Sequence, residues 1–197
     1  MPSPRRRTAR DDELLTASVR AFAARGYFGT STAQVASEMG VSQPYVIRTF
    51  GSKLELFVRT HAHAGAEITR VFREATGEGF DPDRLGGAYR SLVLSRPDAV
   101  LVWAHAFSAA TAEPEIGVES RRQFDEVYRT LREAGASDLD LWAFMGRGML
   151  MNNLLLMQAP DFGDRYDFGP LVDLVFGPRP ESPPRRRRRP SPRSGVT

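Results

Sequence analysis

Residues 32–50 read TAQVASEMGVSQPYVIRTF, and the spacing inside this stretch decides the fold. Ala36 is small where two helices must nearly touch, and Gly40, four residues on, can take the positive φ of a tight inter-helix turn. Val35, Met39, Val41 and Val46 supply the apolar face that locks one helix across the other. Ser42 is placed to cap the second helix, and Pro44 is tolerated in its first turn. The spacing predicts helices over Thr32–Met39 and Gln43–Thr49, the second too short to be stable alone in water. Its expected exposed face, Gln43, Tyr45, Arg48 and Thr49, is polar and basic, a chemistry suited to base edges in a major groove. Taken alone, the pattern fits a plain helical hairpin equally well, because Ala-x3-Gly flanked by aliphatic residues is common.

Working outward, a helix is expected from about Arg10 to Arg25, where Leu15, Val19 and Phe22 recur on one stripe. Asp11, Asp12 and Glu13 suit its positive end, and Gly26 suits a left-handed terminus. Ser52 with Glu55 makes a capping box for a long helix starting at Lys53, one face of which carries Phe57, His61, Gly65, Ile68 and Phe72. Asp81-Pro82 opens a further helix to about Ser95, and Arg96-Pro97 breaks it before another over Asp98–Thr111. Pro114–Ala134 is amphipathic, with Phe124, Val127, Tyr128 and Leu131 in register. Ser137 and Asp140 repeat the capping-box pattern before a helix to about Gln158 that is apolar nearly all round. Gly169–Phe176 closes the series. No alternating strand pattern interrupts it. The expected fold is all-α, about nine helices, with an N-terminal three-helix head and a C-terminal helical body.

The composition excludes several classes. Of 197 residues, 41% are hydrophobic and 26% charged, which fits a soluble globular protein. There are no cysteines, so disulfides and thiolate metal sites are impossible. The most apolar segment, 139–157, carries Arg147, Asn152 and Asn153, which argues against a membrane span and leaves a cytoplasmic protein as the expectation. Residues 1–60 hold nine Lys/Arg against five Asp/Glu, whereas residues 61–176 hold eleven against eighteen. A basic head on an acidic body suits a polyanion partner at the N-terminal end. Residues 1–8 read as a disordered basic arm and 178–197 as a disordered Pro/Arg-rich tail, leaving a head over 9–52 and a body over 53–177.

The residues around the hairpin remove its ambiguity. Residues 22–32 (FAARGYFGTST), then Val35-Ala36, Gly40-Val41-Ser42 and residues 50–57 (FGSKLELF) together resemble the N-terminal domain of the TetR family of transcriptional regulators. The resemblance covers about residues 10–60. It implies that Gln43, Pro44, Tyr45, Arg48 and Thr49 lie against DNA, that Thr32 and Ser42 position helix N-termini on phosphates, and that Lys53, the chain's one lysine, pairs a phosphate. Arg5, Arg6, Arg7 and Arg10 are either a DNA-reaching arm or a solvated terminus. One departure is Ile47, where many members carry an aromatic residue that touches phosphate; Tyr45 is a candidate for part of that role. The resemblance further implies a homodimer on double-stranded operator DNA, released by a small-molecule effector, with no cofactor.

The body holds the candidates for that effector: His61, Phe72, Tyr89, Trp103, Phe107, Phe124, Tyr128 and Met149, although side chains at helical spacing are usually core. His61 and His63 are two apart on a helix and point to different sides, so they make no metal pair, and no metal site is expected. No Ser/His/Asp arrangement, phosphate-binding glycine loop or paired-carboxylate motif is recognisable, so no enzymatic activity is expected. The rival readings are a helical small-molecule-binding or enzymatic protein whose hairpin only packs, and a non-specific nucleic-acid binder using the arginine tail. The all-apolar helix over 137–158 is expected to pack against its mate in a dimer, with Leu150 and Leu154 outward.

Overall fold

The computed structural model describes residues 4–177 and is helical throughout, with no strand among the described residues. Helix α1 spans Pro4–Ala23, α2 Gly26–Gly29, α3 Thr32–Met39, α4 Gln43–Phe50 and α5 Lys53–Ala75. The body continues with α6 (Pro82–Ser95), α7 (Pro97–Ala109), α8 (Pro114–Glu133) and α9 (Asp138–Leu156). A short α10 (Ala159–Phe162), one 3-10 turn and α11 (Gly169–Phe176) follow. Two differences from expectation concern the N-terminus. Residues 4–8, expected as a disordered arm, lie within α1, and the single turn α2 was not anticipated. Residues 1–3 and the expected tail over 178–197 lie outside the described residues.

Local signals placed most helix ends. Ser52 and Glu55 form a reciprocal capping box at α5, as do Ser137 and Asp140 at α9, each pair satisfying two N–H groups that helix geometry leaves free. The Asp81 carboxylate accepts from the Asp83 and Arg84 N–H groups to start α6. Gly26 (φ +64°) and Gly40 (φ +66°) both adopt the left-handed conformation. At Gly40 the chain closes a double turn: its N–H donates to the Ser37 carbonyl at 3.1 Å, and Val41 N–H donates to Ala36 at 3.0 Å. Ser42 is a correction. It sits at the N-cap of α4, but its side chain accepts no capping bond, whereas Ser31, not singled out from the sequence, caps α3 through a box with Gln34.

Two apolar clusters organise the packing. The first joins Phe22, Val35, Ala36, Val46 and Phe50 of the head to Phe57 of α5 and to Val102 and Ala106 of α7. Phe57 sits edge-on to Phe22 with ring centroids 4.9 Å apart. The second fills the body with Ile68, Phe72, Tyr89, Trp103, Leu131, Phe144, Met151 and Val172. Helix α5 belongs to both clusters, and so does α7, so these two helices join head to body. A polar contact strengthens the junction: His105 of α7 bonds through Nε2 to the carbonyl of Ala23, at the end of α1, at 3.1 Å. His105 is half-buried there, and that burial lowers its imidazole below the ordinary histidine range.

Candidate functional site

The outward surface of the helix-turn-helix is built on a closed core. Val46 and Phe50 face inward from α4, Val35 and Ala36 from α3, and all four are buried. The helical period then turns Gln43, Pro44, Ile47 and Arg48 to solvent. Tyr45 and Thr49 are only half-exposed, and the Tyr45 ring packs against the head core. Of the expected polar face, Gln43 and Arg48 are thus exposed and Tyr45 and Thr49 partly so. Ile47, 41% exposed, shares the face; its position four residues after Gln43 was the available signal. The Arg48 guanidinium lies 5.4 Å from the Tyr45 ring centroid, which supports the arginine at the edge of the face. Gln43 Nε2 donates to Thr32 Oγ1 at 2.8 Å, tying the first turn of α4 to the first turn of α3. Lys53 is drawn inward: its ammonium donates to the carbonyls of Tyr27 at 3.0 Å and Thr30 at 3.2 Å.

A second concavity lies in the body, between α5, α6, α7, α8, α9 and α11. It encloses about 560 Å³. Aromatic rings form part of its walls: Phe72 stacks on Tyr89 at 5.4 Å between centroids and meets Phe144 edge-on at 5.8 Å. Tyr89 donates its hydroxyl hydrogen to Asn152 Oδ1 at 2.7 Å, both side chains being buried. Asp83, Arg90 and Arg147 line it from exposed positions.

The head matches the family model described as bacterial regulatory proteins of the tetR family, over residues 14–60. The head is thus a TetR-type N-terminal domain. Solved structures share its fold along most of their length. A TetR family transcription regulator from Marinobacter aquaeolei VT8 is 19% identical with a TM-score of 0.62, covering 87% of this chain and 94% of that one. A TetR-like transcriptional regulator from Rhodococcus sp. RHA1 is 22% identical with a TM-score of 0.60, covering 89% and 94%. The fatty acid degradation regulator FadR from Bacillus halodurans is 14% identical with a TM-score of 0.57, covering 84% and 95%. No protein of curated function matches the chain at a significant level.

In the body the expected effector residues divide. Phe72, Tyr89, Trp103, Phe124 and Met149 line the cavity. His61, Phe107 and Tyr128 do not. Phe107 packs behind the wall, its ring 5.0 Å from Trp103. Tyr128 points outward at 37% exposure. His61 is fully buried between α5 and α8, with Nε2 3.2 Å from Ser120 Oγ, and burial lowers its imidazole to about 4. His63 turns the other way, to Thr16 Oγ1 of α1 at 3.2 Å, as the two-residue spacing requires. Asn152, which the sequence offered only as a polar interruption of an apolar helix, is among the cavity residues that sequence reasoning missed. Among the described residues no group of three or more His, Cys, Asp or Glu is placed to hold a metal, and no helix is long and apolar enough to cross a membrane.

Proposed function

We propose that the whole chain is a TetR-family regulator and a homodimeric repressor, each head laying α4 into a major groove of palindromic operator DNA, and that a small apolar or aromatic effector in the body cavity releases it. The observation that carries the DNA reading is the outward face of α4: Gln43, Pro44, Ile47 and Arg48 project from a closed core that has no use for them. Thr32, Ser42, Tyr45 and Thr49 flank that face at half-exposed or exposed positions, within reach of adjacent phosphates. Lys53 borders it while tied to Tyr27 and Thr30.

The effector reading is supported by the helices that carry both ends of the coupling. Phe72 lines the cavity from α5, whose first residue, Lys53, is bonded into the head. Trp103 lines it from α7, whose His105, two residues on, is bonded to the end of α1. A ligand that shifts α5 or α7 thereby shifts the heads, and it favours release only by its differential affinity for that arrangement. Two heads on one face of B-DNA must lie roughly 34–36 Å apart, or a multiple of that, so small rotations suffice to lose register.

The dimer reading rests on an exposed apolar stripe. Leu139 (71%), Trp142 (77%) and Leu150 run along one side of α9, with Met157 just past its end and Leu174 (75%) on α11. Leu154, expected outward, is buried and belongs to the body core. Head (9–52) and body (53–177) are functional divisions in this scheme, although α5 is structurally common to both. The test is fluorescence anisotropy on a palindrome adjacent to the regulator's own gene. Arg48→Ala is expected to lower affinity about ten- to a hundredfold with an unchanged melting temperature. Wild-type affinity in both Arg48→Ala and Gln43→Ala would remove α4 as the reading element.

A further inference from the structure

We infer that the effector presents a neutral hydrogen-bond acceptor, a carbonyl oxygen, to the unpaired buried donors of the cavity lining, the Trp103 indole N–H and the Asn152 amide N–H. This rests on the reading of that cavity as the effector site and specifies the chemistry the site selects. Trp103 is 5% exposed and Asn152 2%, and both line the cavity. Neither Trp103 Nε1 nor Asn152 Nδ2 has a hydrogen-bond partner in the protein. An indole nitrogen can only donate, so nothing but an acceptor satisfies it. Buried donors are nearly always paired in native proteins, and leaving one unpaired carries the full desolvation cost.

Asn152 is held so that its donor half remains available. Tyr89 donates to its Oδ1 at 2.7 Å, and Nδ2 is left unused. Burial raises the Tyr89 phenol well above its ordinary value, so the ring stays a donor at every pH the protein meets. The charge of the acceptor follows from where the cations are. Arg90 and Arg147 line the cavity only from exposed positions, and Asp83 lines it beside them. A carboxylate held by Trp103 and Asn152 would be buried without a cation, which costs far more than two neutral N–H donors return. A ketone, ester or amide carbonyl needs no such compensation.

Matched probes test the assignment on the full-length protein. Benzophenone and diphenylmethane share two rings and differ by the carbonyl; benzoylbenzoate adds a carboxylate. Calorimetry is expected to show benzophenone binding about tenfold or more tightly than diphenylmethane. The chain has two tryptophans, so nitrogen-15 NMR gives two indole N–H peaks. Benzophenone should move that of Trp103 downfield and leave that of the exposed Trp142 in place. Asn152→Leu and Trp103→Phe should each cut the preference for benzophenone while holding diphenylmethane at wild-type affinity or better; that retained binding also reports that the variants fold. Equal affinity for the two hydrocarbon frames, with the Trp103 peak unmoved, would overturn the acceptor while leaving the cavity as an effector site. Tightest binding by benzoylbenzoate would overturn neutrality. Binding of no probe would remove the effector-site reading and this inference with it.

Discussion

The Lys53 ammonium lies 4.4 Å from the centroid of the Tyr27 ring while donating to the Tyr27 and Thr30 carbonyls. The family resemblance implied that this lysine pairs a phosphate. The fold also uses its charge to hold the start of α5 against the turn that ends α2. Lys53→Ala is therefore expected to lower head stability by about 1–2 kcal/mol, from a lost charge-assisted bond and a lost ring contact. Urea unfolding at neutral pH measures it. An unchanged unfolding free energy with weakened DNA binding would restore the phosphate role as its main one.

At Gly40 the cost of substitution comes from backbone alone. A Cβ built there meets nothing within 4 Å, but φ is +66°. Gly40→Val should cost on the order of 1–3 kcal/mol, whereas Gly40→Asn, whose side chain tolerates the left-handed region, should cost much less. Thermal melts of the two variants compare them. Equal losses would mean that crowding, not backbone strain, governs the turn.

His61 makes a pH dependence with a defined sign. Burial is the main cause of its lowered imidazole, at about 4 against an ordinary 6.5; Arg122 lowers it further and Glu119 opposes. Between those values the unfolded chain binds a proton that the folded chain refuses. Stability from this group is thus full above about pH 6.5 and is lost as the pH falls toward 4, by about 3 kcal/mol in all. Urea unfolding at about pH 7.5 and pH 5 should show a larger loss in the wild type than in His61→Gln, which keeps a donor or acceptor for Ser120. Equal losses in the two proteins would place the acid sensitivity elsewhere.

The α9 stripe predicts assembly. Trp142→Glu, at the most exposed of its large apolar positions, should convert the dimer to monomer in sedimentation at micromolar concentration and abolish operator binding, with helicity intact. A Leu154→Glu variant should instead unfold the body, because that side chain is 3% exposed. A dimer that survives Trp142→Glu unchanged would move the interface off this stripe.

The sequence by itself determined what is local. Capping boxes at Ser52 and Ser137, the Asp81-Pro82 start and the left-handed glycines act through residues no more than a few positions apart, so their spacing carries their geometry. The helix-turn-helix is legible for the same reason: Ala36, Gly40 and Val41 make its turn among themselves. Facing direction was less so. A helix as apolar as α9 has no periodic signal to separate the buried Leu154 from the exposed Trp142, and only its neighbours decide which side is covered. The cavity lay furthest out of reach. Tyr89 and Asn152 are sixty-three residues apart, and their bond exists because α6 and α9 are packed together. His61 shows the converse. It sits on the stripe the sequence assigned to it, yet α8 lies over that stripe and supplies Ser120, so the side chain is sealed from the cavity it was expected to line. Which apolar faces meet, and which enclose a space, is set by long-range packing that local spacing does not encode.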